Sequence, residues 1–182
     1  MRKTILIYGL IAGAIVSTIM VTSMHIYKNN PDIEPSMLVG YASMLVAFIM
    51  IFVGIKNYRD QSLNGAITFG KAFKMGLWIM LIASTMYVIT WLIYYYCFNP
   101  DYMEKFGEKI LNKLAREGAS AAKIAEQKAQ IKMWSDMYKS PIMLVLITYS
   151  EIVPLGLVVT LFSALILKRK PDGENNQTII AS

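Results

Sequence analysis

The apolar residues of this chain do not alternate. They run in four long blocks, Thr4–Met24, Ser36–Ile55, Met75–Phe98 and Ile142–Leu167. A helix of about 20 apolar residues spans the hydrocarbon core of a bilayer, so each block is long enough to cross. The pattern predicts spans over about 4–27, 36–55, 72–98 and 141–167. The polar stretches between them predict the connections. Residues 28–35 form a tight turn in which Pro31 and Pro35 stop helix propagation, and Ser36 stands where an N-cap would. Residues 57–70 form a loop, with a turn at Asn64-Gly65, two residues that tolerate positive φ. Residues 99–140 form the one sizeable extramembrane segment. Within it Met103, Phe106, Ile110 and Leu114 recur at helical spacing, as do Ile124, Ile131, Trp134 and Tyr138, with lysines and glutamates between them. This is an amphipathic helical pattern that covers its own apolar stripe or lies on the membrane surface, and Gly118 interrupts or caps it.

The expected fold is therefore all-α: an integral membrane four-helix transmembrane bundle with an extramembrane amphipathic helical segment between spans three and four. Residues 1–170 form a single membrane domain and 171–182 a flexible tail. Composition agrees. Of 182 residues, 55% are hydrophobic and 16% charged, against about 25% charged in an average soluble chain. The start, Arg2-Lys3 followed by apolar residues, resembles a secretory signal, but the apolar run to Met24 exceeds the usual signal core, so an uncleaved first span is expected.

Charge then orients the bundle. The formal net charge is +6, but the basic residues are not arranged for nucleic acid. Arg2 and Lys3 precede span one, Lys56, Arg59, Lys71 and Lys74 flank the connection between spans two and three, and Lys168, Arg169 and Lys170 follow span four. All three clusters fall on one side. The positive-inside rule makes that side cytoplasmic, which places both termini in the cytoplasm and segment 99–140 outside. Partners expected on this basis are the lipid bilayer and no nucleic acid.

Small residues predict how the spans pack. Gly9, Gly13 and Ser17 form one stripe, Gly156, Thr160 and Ala164 another. Gly40, Ala47 and Gly54, and Gly76, Ala83 and Thr90, recur every seven residues. Small residues let helix backbones approach closely in lipid. Bundle packing within the chain is the expected use, and self-association through Gly9 and Gly13 or through 101–139 is the alternative. Trp91 and Tyr94–Tyr96 read as an interfacial aromatic belt.

Candidate chemistry is sparse. Cys97 is the single cysteine and His25 the single histidine, so no metal cluster and no nucleophile–base set is apparent. Gly65–Ala72 comes close to a phosphate-binding loop, but Ala72 stands where a magnesium-binding hydroxyl is needed and no strand precedes it. No cofactor, metal or catalytic residue is expected. Glu151 is the exception. It lies nine residues past Ile142, about 14 Å along the helix. A charged carboxylate at the bilayer centre costs about 3 kcal/mol or more. The expectation is a neutral acid facing the bundle interior, bonded to hydroxyls such as Ser84, Thr85 or Thr90. Pro154, three residues on, cannot donate an amide and predicts a kink.

Two stretches carry a resemblance. Gly54-Ile55-Lys56-Asn57-Tyr58-Arg59-Asp60 with Thr68-Phe69-Gly70-Lys71-Ala72-Phe73 is one. Glu151-Ile152-Val153-Pro154-Leu155-Gly156-Leu157 running into Leu165–Lys170 is the other. Together they resemble an uncharacterised family of short four-span bacterial inner-membrane proteins, classed as a domain of unknown function. The resemblance implies topology and location but no activity. It singles out Lys56, Arg59, Gly70, Lys71, Glu151, Pro154 and Gly156. The expected role is a non-enzymatic accessory or assembly factor acting through its outer helices. The alternative is a small transporter or channel component that uses Glu151.

Overall fold

A computed structural model describes residues 1–30 and 37–170. The expected turn at Pro31 and Pro35, the Ser36 cap and the tail 171–182 lie outside the described residues. The elements in chain order are α1 (Arg2–Asn29), α2 (Met37–Ser62), α3 (Phe69–Ile93) running on as a π-helical turn (Tyr94–Phe98), α4 (Tyr102–Arg116), α5 (Ala121–Tyr138) and α6 (Pro141–Leu167). Four helices are long and apolar enough to cross a membrane: α1, α2, α3 with its π-helical turn, and α6. The chain is an all-helical, multi-pass membrane protein. The expected loop at 57–70 is shorter than its polarity suggested, because α2 continues to Ser62. Lys, Arg and Gln are good helix formers, and polarity marks where water begins, not where a helix ends. The chain reverses at Asn64 and Gly65, with φ of 51° and 83°.

Contacts group the chain into two units, residues 1–87 with 151–182 and residues 88–150. In the first, α1, α2 and parts of α3 and α6 enclose a core of Phe48, Ile51, Ile55, Met75, Ile79 and Met80, each at most 1% exposed. Glycines make this packing close. A Cβ at Gly9 would lie 2.8 Å from Ile82, and one at Gly13 2.6 Å from the Met86 sulfur, so α3 of the same chain occupies the Gly9–Gly13 stripe. Gly40 differs from its expected partners Ala47 and Gly54. It is exposed, with nothing within 4 Å of a Cβ there.

Thr160 and Ser84 are fully buried in this core, and neither hydroxyl oxygen has a hydrogen-bond partner. An orphaned buried hydroxyl is a liability that an isosteric methyl removes. Thr160→Val is therefore expected to be neutral or to stabilise the unit by about 1 kcal/mol in a denaturant titration in micelles. A loss of that size would mean that the hydroxyl has a partner in the membrane.

The second unit is built on its caps. Gly118 adopts φ of 70° just past α4. The amide of Ala119 donates to the Leu114 carbonyl (2.9 Å) and that of Gly118 to the Ala115 carbonyl (3.2 Å), the paired bonds of a Schellman cap. Ser120 then caps α5, its hydroxyl accepting from the Lys123 amide. The resulting hairpin closes over Gly107, where a Cβ would lie 2.7 Å from Ile131. The predicted stripe holds on α4, where Met103 is 7% exposed, but Trp134 on α5 is 43% exposed and does not join it. The residues of the expected aromatic belt pack on the hairpin. Trp91, Tyr94 and Tyr95 are buried, and their rings pack on Tyr102 and Tyr138 (Trp91–Tyr102 5.2 Å, Tyr95–Tyr138 5.8 Å between centroids). Aromatic pairs in edge-to-face or offset arrangements add to what the burial of the rings alone contributes. Of the four belt residues, only Tyr96 stays exposed.

Near the end of α5 the Lys139 ammonium donates a 2.6 Å hydrogen bond to Asp136. That bond, helped by the lysine's charge, holds the Asp136 carboxyl below the usual carboxylate range. A depressed carboxyl contributes stability above its unfolded value and loses it as pH falls through the folded one. Both groups are exposed, so the effect on stability is small and the titration itself is the readout. Lys139→Ala should return the Asp136 midpoint upward to the ordinary range in a carbon-detected NMR titration.

Candidate functional site

The two sequence stretches singled out above meet at one end of the first unit. Ile67 and Arg169 form an antiparallel bridge, with amide-to-carbonyl distances of 3.0 and 2.9 Å. The loop after α2 is thereby stitched to the residues after α6. Arg59 reaches the same place. Its guanidinium donates to the Leu167 carbonyl (3.4 Å), one of the terminal carbonyls that α6 leaves unpaired, and forms a 2.6 Å ion pair with Asp60. Positive charge at a helix C-terminus also suits the macrodipole. Arg59 is thus a structural clamp between α2 and α6.

Its neighbours have related duties. Asn57 donates to the Tyr8 hydroxyl at 2.8 Å, tying α2 to α1. The Lys71 ammonium sits over the Tyr58 ring, 5.8 Å from its centroid, within cation–π range. Lys56 and Lys74 are exposed at the same end. Gly70 is exposed with open space around it, and nothing in the structure explains why glycine stands there. Thr68 caps α3: its hydroxyl accepts from the Lys71 amide (3.4 Å), and its carbonyl takes the Ala72 amide (3.0 Å). The Ile67 amide is committed to the Arg169 carbonyl, so three amides of this segment are taken up within the fold.

Along α6 the second stretch divides. Gly156 is buried against Met80 and Phe48. Pro154 is exposed, and the helix continues through it from Pro141 to Leu167. Glu151 overturns its expectation. It is exposed, and its carboxyl makes no hydrogen bond to Ser84, Thr85 or Thr90. The residues that fill the interior at this level are Ile152 and, one turn on, Gly156, both buried. One position along a helix turns a side chain through about 100°, and Glu151 falls outside the buried arc.

Sequence reasoning missed three features. The Asn57–Tyr8 bond joins residues 49 apart and leaves no local signal. The Thr68 cap was readable, as a hydroxyl residue just ahead of an apolar run. Asn99 is 8% exposed with its side-chain oxygen unpartnered, below the buried rings at the end of the π-helical turn. Among the described residues no group of three His, Cys, Asp or Glu side chains is placed to hold a metal ion.

No curated protein and no solved structure matches the chain. A family model does match, over residues 7–169, a range that holds all seven of the residues singled out above, and the chain belongs to that family, described as a protein of unknown function (DUF4199).

Proposed function

We propose that this protein is a non-enzymatic accessory or assembly factor of the bacterial inner membrane, with both termini cytoplasmic, working through its outer helical hairpin. The observation that carries this reading is the exposed surface of α5. Met133 and Trp134 are 54% and 43% exposed. Met133, Met137 and Met143 line an open groove that Lys132 and Asp136 border. Methionine-rich surfaces repack around varied partners, and aromatic anchors dominate protein interfaces. The basic residues at the opposite end of α2, α3 and α6 support the proposed orientation. A small-transporter reading would use Glu151 from inside a polar pathway, and an exposed carboxyl lends that no support.

Two measurements test the reading. A cysteine placed at residue 120 in a Cys97→Ser background should label from outside the cell, and one at residue 62 only after permeabilisation. The reverse pattern would overturn the orientation. In vivo photocrosslinking from position 129, on the same groove, should trap a discrete membrane or envelope protein, and Met133→Ser with Trp134→Ser should abolish the adduct. An adduct that survives both substitutions would overturn the role of this surface.

A further inference from the structure

Three helix ends bring their positive charges to one place in the first unit. Arg59, near the end of α2, reaches the Leu167 carbonyl at the end of α6. Lys168 and Arg169 come next in the chain. The bridge between Arg169 and Ile67 then sets Lys168 beside Thr68, the residue that caps α3. Lys71, one turn into α3, lies over the ring of Tyr58, the neighbour of Arg59 in sequence. Residues 56–74 and 165–170 hold seven basic side chains and a single acidic one, Asp60, which is ion-paired with Arg59. Lys71, Lys74 and Lys168 are all exposed. An apolar surface adjoins these cations. Lys71, Lys74 and Trp78 stand three and four residues apart, so they share one side of α3, and Trp78 is 50% exposed. Gly70 lies on the same side, four residues before Lys74, with nothing within 4 Å of a Cβ there. On α6, Leu165 and Ile166 are exposed within one turn of Lys168.

We propose that the junction of α2, α3 and α6 binds an anionic phospholipid, with its phosphate among Lys71, Lys74 and Lys168 and an acyl chain along Trp78. A soluble anion has a use for the cations and none for the exposed apolar side chains next to them. A phospholipid joins a phosphate to hydrocarbon and uses both. Basic pockets between spans are suited to anionic headgroups. A zwitterionic headgroup brings its own cation into the cluster, and the one carboxylate of these segments, Asp60, is already engaged by Arg59. The open side of Gly70 gives the headgroup room to lie against α3. This site does not depend on the role proposed for the hairpin.

The test uses the full chain, delipidated in micelles and titrated with phosphatidylglycerol or with phosphatidylethanolamine of the same acyl chains, bound lipid being counted by native mass spectrometry. Phosphatidylglycerol should bind about tenfold more tightly than phosphatidylethanolamine. Lys74→Gln and Lys168→Gln should each weaken its binding about fivefold, and together about twentyfold. Gly70→Leu, which alters no charge, should weaken it as well. Lys123→Gln with Lys128→Gln, which removes two exposed charges from α5, should leave it within about twofold of the wild type. Equal binding of the two lipids would overturn the proposal, as would an equal loss from the α5 pair. Losses in the lysine variants with none in Gly70→Leu would mean diffuse attraction in place of a site, and would overturn it too. So would displacement of the lipid by glycerol phosphate at the same concentration, which would leave the acyl chain no part.

Discussion

Gly156→Leu is expected to destabilise the first unit by about 3 kcal/mol, at the upper end of what overpacking costs. A Cβ at this position collides with Met80 Cγ and lies 2.8 Å from the Met80 sulfur and 2.9 Å from the Phe48 ring. Methionine can change rotamer, so alanine there should be tolerated better than leucine. Phe48 is fully buried and has nowhere to move. Interiors are close-packed and transmit strain instead of absorbing it. The matched control is Gly40→Leu, where nothing lies within 4 Å. It should leave stability unchanged or raise it slightly, because leucine is the better helix former. Steric trapping in bicelles measures both. Equal effects at positions 156 and 40 would mean that α6 does not pack on α2 and α3 as described.

Gly54→Leu should cost about 2–3 kcal/mol for a different reason. The added Cβ lies 2.9 Å from Tyr8 Cγ and 3.0 Å from Ile79 Cδ1. The Tyr8 ring is fixed at one end by the α1 backbone and at the other by Asn57, one turn along α2 from the substituted position. It cannot swing aside without giving up that hydrogen bond. Substitution at Gly54 and removal of the ring should therefore be strongly non-additive. Tyr8→Ala with Gly54→Leu should be less destabilised than the sum of the single changes, by about 1 kcal/mol or more. Simple additivity would show that Gly54 and Tyr8 do not touch.

These two glycines show how much of the molecule was legible in the chain alone. Four uncharged or nearly uncharged blocks determine four membrane-length helices, because backbone polar groups in lipid must be satisfied within the segment. The charge clusters determine which ends lie together. The Asn64-Gly65 turn and the Gly118 cap were equally local, since each depends on a residue that accepts positive φ at little cost. The spacing of small residues marked Gly54 and Gly156 as contact points. It marked Gly40 just as strongly, and a Cβ at Gly40 would meet nothing within 4 Å among the described residues. A spacing states which side of a helix is small, not whether another helix lies against it.

The remaining decisions belonged to the tertiary structure. Arg59 and Lys71 read only as members of a charge cluster between spans two and three, yet one clamps the end of α6 and the other covers a tyrosine ring. Those contacts join residues distant in sequence, and no local pattern encodes them. Trp91, Tyr94 and Tyr95 form a packed cluster because neighbouring helices supply rings for them to meet. Glu151 turns on the same physics. Its depth, and with it the energy of placing a carboxyl there, follows from counting residues along a helix. Its direction depends on which arc of α6 the other helices cover, and that was settled only when the buried arc formed around Ile152, Gly156 and Thr160.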